Sequence, residues 1–169
     1  MERNNSNPTK LARQILRVFQ EHKQAWSEQS MRSNKDVSWS LPPSNWIKLN
    51  FDAAIREEKT TIAVISRYYM GNTLKAWSDQ FVPSSPLVGE ARAAWSAIRL
   101  AVVASEGYEN IILEGDAWNV IEPIRNVDVD PHWSIKTLYD DILYFVKYFT
   151  NVKFSFVCRK GNVSAHFVA

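Results

Sequence analysis

Three strand-like runs follow one another between residues 47 and 82 with almost nothing between them, and this limits the fold more than any other stretch. The first, Ile47-Lys48-Leu49-Asn50-Phe51-Asp52-Ala53, alternates apolar and polar residues at a period of two. The second, residues 60–69, is rich in β-branched side chains, and the third, residues 73–82, follows the turn signal Gly71-Asn72. Runs joined so briefly pair as antiparallel neighbours, because a parallel pair needs a crossover of about a dozen residues or more. Beyond them the rhythm changes. Ser85-Pro86 sets a capping hydroxyl before a proline at the first helical position, predicting an alanine-rich helix over 86–105 that ends at Gly107. An apolar run over 108–114 suits a central strand, and a short helix over 116–124 should stop near Pro123. An amphipathic helix is expected over 133–149, a last strand over 152–157, and from residue 161 a further helix that the chain barely enters. The order β-β-β-α-β-α-α-β-α predicts an α/β fold with a mixed sheet covered by helices.

Upstream, Leu11, Ile15, Val18, Phe19, His22 and Trp26 recur at helical spacing and predict a helix over 9–29. Residues 31–46 are rich in Ser, Asn and Pro and read as a linker. The expected organisation is an N-terminal helix with its linker over 1–45 and the main domain over 46–169. With 46% hydrophobic and 12% aromatic residues, the chain as a whole is not of a disordered type. Cys158 is the single cysteine, which excludes an internal disulfide and reads as a small hydrophobe at a strand end. The polar N-terminus lacks a signal-peptide run and no stretch reaches bilayer length, so an intracellular protein, nuclear or cytoplasmic, is expected. The net charge is +2, with seven Lys/Arg against four Asp/Glu in residues 1–36 and thirteen against fourteen in the remainder. The main domain therefore offers no broad cationic surface for nucleic acid.

Three acids stand in informative places. Asp52 interrupts an apolar strand, Glu90 lies one turn into the alanine-rich helix, and Asp116 sits where a central strand gives way to a helix. If the first and fourth strands are parallel neighbours, Asp52 and Asp116 come side by side and the helix can lay Glu90 across them. Three close carboxylates raise one another's pKa unless a cation compensates, and hard divalent ions such as Mg²⁺ prefer oxygen ligands. The spacing alone is equally compatible with a strand-end acid bound to backbone amides, a first-turn acid favoured by the helix dipole, and an N-cap.

The chain carries further residues in order: Lys48-Leu49-Asn50-Phe51-Asp52-Ala53-Ala54, Ala76-Trp77-Ser78, Gly89-Glu90-Ala91-Arg92, Leu113-Glu114-Gly115-Asp116, and Arg159-Lys160-Gly161-Asn162-Val163-Ser164-Ala165-His166. Together they resemble the plant RNase-H-like domain of retroelement-derived, reverse-transcriptase-associated sequences. The resemblance implies a ribonuclease-H-like fold: a five-stranded mixed sheet with strands 1–3 antiparallel and strand 4 parallel to strand 1. It implies hydrolysis of the RNA strand of RNA–DNA hybrids with two Mg²⁺ ions, held by Asp52, Glu90 and Asp116. The family usually has an aspartate where this chain has His166. Imidazole is a poorer ligand for Mg²⁺ than for Mn²⁺, so Mn²⁺ becomes an alternative, and His166 also suits proton shuttling. Contacts to nucleic acid are expected from Arg56, Arg159 and Asn162. The rival expectation is a module of the same fold that binds nucleic acid or protein without turnover.

Overall fold

The computed structural model describes residues 39–103 and 108–169. The helix expected over 9–29 and the stop expected at Gly107 lie outside the described residues.

Strand β1 (Trp46–Ile55) follows the alternation of its sequence, β2 (Thr60–Arg67) returns beside it, and β3 (Thr73–Phe81) completes the meander. Helix α1 (Pro86–Val103) leads to β4 (Asn110–Gly115), then α2 (Trp118–Arg125), α3 (Lys136–Val146), β5 (Asn151–Phe156) and α4 (Val163–Val168). The sheet order is β3-β2-β1-β4-β5. Strand β1 is antiparallel to β2 and parallel to β4, and β5 is parallel to β4. This is the five-stranded mixed sheet that the sequence and the resemblance predict, flanked by helices.

The two faces of β1 explain the layering. Leu49, Phe51 and Ala53 point into a core shared with Ile62, Val64, Ile111 and Leu113. Helix α1 covers it through Ala91, Ala93, Ala94, Ala97 and Ile98, and the four alanines let the helix lie close. Lys48, Asn50 and Asp52 occupy the alternate positions and point to the other face, yet all three are buried. Helix α4 lies over β1 and β2 on that face. The segment before β1, read as linker, joins it: Trp39 Nε1 donates to Asn50 Oδ1 at 3.2 Å.

Two helices differ from expectation. Helix α2 starts after Ala117, not at Asp116, and runs through Pro123 to Arg125. Pro123 lacks an amide and its ring crowds the carbonyl four residues back, yet the Asn126 amide still closes the last turn on Glu122 O at 2.9 Å. The expected helix over 133–149 opens as a 3-10 turn at Trp133–Ile135, capped by the His132 ring, and its α-helical part ends at Val146. Among the described residues no helix is long and apolar enough to cross a membrane.

Candidate metal centre

The parallel register of β1 and β4 sets Asn50 opposite Glu114. Asp52 and Asp116, two residues further along each chain, therefore meet just beyond the last β1–β4 pair, Asp52 inside β1 and Asp116 one residue past the end of β4. Two glycines complete the approach. A Cβ at Gly115 would stand 2.4 Å from the Phe51 ring, so only glycine lets the end of β4 close on β1 and deliver Asp116. A Cβ at Gly89 would meet Ile55 and Thr60 at 3.1 and 3.2 Å, so its absence seats the first turn of α1 on the strands and lowers Glu90 onto the pair. Each glycine precedes its acid directly.

One oxygen from each of Asp52, Glu90 and Asp116 lies within 4.8 Å of those of the other two. Burial pushes the Glu90 carboxyl well above the usual range, with Asp52 and Asp116 adding to the rise; Arg159 and a backbone hydrogen bond from Ala53 oppose it. Asp116 is raised for the same reasons, burial first and then Asp52, against a hydrogen bond from Asn162 and the charge of Arg159. Asp52 Oδ1 and Glu90 Oε2 are buried with no hydrogen-bond partner among the described residues. Leaving a buried carboxylate oxygen unmatched is costly. Oxygen donors, converging charge and orphaned lone pairs together fit a hard divalent cation.

His166 joins the acids. Its Nδ1 donates to Asp52 Oδ2 at 2.9 Å, and Arg159 Nη2 reaches His166 Nε2 at 3.2 Å. With Nδ1 carrying the proton toward the carboxylate, Nε2 is left to accept from the guanidinium. Arg159 thus stands at the rim of the centre. Arg56 does not join it: it is exposed in the β1–β2 turn, which its amide closes on Lys59 O at 2.9 Å. Asn162 is 1% exposed and spends its amide on protein partners, behind the carboxylates. The Asp140-Asp141 pair lies exposed on α3, away from the cluster.

Sequence reasoning missed Lys48, Asn50 and Glu114. Lys48 Nζ donates to Glu114 Oε2 at 2.9 Å across 66 residues of chain, and Asn50 Nδ2 donates to Glu114 Oε1 at 3.0 Å. The available signal was the polar stripe Lys48, Asn50, Asp52 on a strand destined for the middle of the sheet.

Comparison with solved structures gives the same fold. RNase H1 from the halophilic archaeon Halobacterium salinarum matches with a TM-score of 0.67 at 19% identity, over 73% of this chain and 94% of that one. LC11-RNase H1, solved in complex with an RNA/DNA hybrid, matches with a TM-score of 0.65 at 17% identity, over 72% of this chain and 92% of that one. The PFV RNase H domain matches with a TM-score of 0.56 at 14% identity, over 73% of this chain and 90% of that one. The architecture is ribonuclease-H-like. No curated protein sequence matches significantly. A family model described as Reverse transcriptase-like matches residues 50–169, well over half of the sequence and all of the sheet but residues 46–49 of β1, so the chain belongs to that family.

Proposed function

We propose that this protein is a divalent-metal-dependent nuclease that hydrolyses the RNA strand of RNA–DNA hybrids. The observation that carries the reading is the pair of orphaned buried oxygens, Asp52 Oδ1 and Glu90 Oε2, inside a cluster of three acids. A fold kept only for binding has no need to bury carboxylates at this cost. The hybrid bound by LC11-RNase H1 supports the choice of substrate.

Asp52, Glu90 and Asp116 would hold the ions, two Mg²⁺ being proposed. Bound there, divalent ions supply the charge that activates water and stabilises the leaving oxygen of a phosphodiester. Asp52 turns Oδ1 to the shared centre while Oδ2 is engaged by His166. His166, with a side chain 42% exposed, would be the group that takes up or releases a proton at the rim of the centre. A ring nitrogen released from Asp52 or from Arg159 would suit Mn²⁺ better than Mg²⁺. Arg159, exposed beside it, is placed to meet a phosphate as a planar, permanently charged donor. Hybrid recognition of this kind reads groove shape and 2′-hydroxyls more than base identity.

The deciding experiment is cleavage of a labelled RNA–DNA hybrid in Mg²⁺ and, separately, in Mn²⁺. Asp52→Asn should fall to background while keeping the wild-type circular dichroism spectrum. Equal cleavage by that variant ends the proposal. A second reading, a binder without turnover, rests on His166 occupying Asp52 Oδ2; hybrid binding by folded protein with no cleavage in either ion selects it.

A further inference from the structure

We infer that Asn162 is a positioning residue that sets Asp116 against Asp52 before any ion arrives, held in turn by a buried polar relay running back along β1. The inference rests on the metal-centre reading above. Asn162 Nδ2 donates to Phe51 O at 2.8 Å and to Asp116 Oδ1 at 3.2 Å. Phe51 O belongs to the peptide that leads into Asp52, so one nitrogen ties the backbone of one acid to the carboxylate of another. The same residue opens α4, where its carbonyl accepts from the His166 amide at 3.1 Å. Two members of the centre are thereby referred to one side chain, and a third to the backbone of the same residue.

That side chain has a single sensible orientation. Its Oδ1 accepts from Asn50 Nδ2 at 3.3 Å, and flipping the amide would turn oxygen onto a carbonyl and a carboxylate. Asn50 is fixed likewise: Nδ2 also donates to Glu114 Oε1 at 3.0 Å, while Oδ1 accepts from Trp39 Nε1 at 3.2 Å and Arg67 Nη1 at 3.1 Å. Lys48 closes the far end, donating to Glu114 Oε2 at 2.9 Å and Ser40 O at 2.7 Å. Asn50, Glu114 and Asn162 are each 5% exposed or less. A fully satisfied buried network of this kind holds one geometry and resists replacement by water. Partners of metal ligands commonly control affinity in this way, their loss costing about 10–100-fold.

The test is Mn²⁺ affinity of the full chain, read by electron paramagnetic resonance of the free ion, for wild type, Asn162→Ala and Asp116→Asn. Asn162→Ala should bind Mn²⁺ about 10-fold or more weakly, with an unchanged KM for hybrid and a kcat restored by excess Mn²⁺. A merely structural residue would not show recovery by added ion. If Asn162→Ala does not fold, Asn162→Ser replaces it; its shorter side chain cannot bridge Phe51 O and Asp116, so the same weakening is expected. Wild-type Mn²⁺ affinity in either folded variant, with Asp116→Asn impaired, overturns the positioning role alone. Wild-type affinity in Asp116→Asn overturns the metal centre itself.

Discussion

The outer face of this sheet buries acids in two places and treats them oppositely. At one end Glu114, 5% exposed, has both oxygens occupied, one by Lys48 and one by Asn50. At the other, Asp52 is 1% exposed and leaves Oδ1 unmatched, as Glu90 leaves Oε2. A lysine serves the first site; among the described residues none serves the second, where Arg159 offsets the charge from the rim. Buried charge is tolerated where its compensation is built in. Where compensation is left out among converging carboxylates, the oxygens are left fit for a cation from outside.

Breaking the internally compensated end should give the largest effect on folding. Lys48→Met strands Glu114 in a buried setting and should cost about 3–5 kcal/mol by denaturant unfolding. Adding Glu114→Leu should recover much of that loss; a cost for Lys48→Met close to that of a surface substitution would erase the contrast. The uncompensated end should respond with the opposite sign. Glu90→Gln removes one of three repelling carboxylates and should raise ion-free stability at neutral pH by about 1 kcal/mol. The folded carboxyl pKa is raised, so its favourable share is full below the unfolded value and is lost as pH rises through the folded one. The gain from Glu90→Gln should therefore fade on acidification, and saturating Mg²⁺ should reverse it by stabilising wild type. A variant less stable than ion-free wild type at pH 7 would contradict this. The smallest effect is expected at Lys136–Asp140, an i,i+4 pair with both side chains 55% exposed. Lys136→Ala should shift stability by no more than about 0.5 kcal/mol, marking what an exposed pair contributes beside a buried one.

Much of the centre was legible because its members carry local marks. Asp52 breaks an apolar alternation, Glu90 follows a helix-start signal, and Asp116 ends a buried strand. Helix ends were less legible: Pro123 proved compatible with α2 because a short helix survives the loss of one amide bond. The role of Asn162 was read from its motif as contact with nucleic acid, whereas its burial turns it toward Phe51 and Asp116. Nothing local distinguishes the two, because a polar side chain at a helix start suits either.

Sequence by itself determined the periodicities, and through them the strands, the helices and which residues of β1 share a face. It also set Asp52 within a strand, Glu90 one turn into a helix and Asp116 just after a strand, with glycines before two of them, Gly89 and Gly115. Tertiary structure alone decided what covers each face. Alternation says that Lys48, Asn50 and Asp52 point the same way, but not that Trp39 and α4 shield them from water. The partners that make those polar residues tolerable come from far along the chain: Glu114 lies 66 residues from Lys48, and Asn162 lies 112 from Asn50. Hydrogen bonds are short-ranged and directional, so such pairs exist only once strand order and register bring them together.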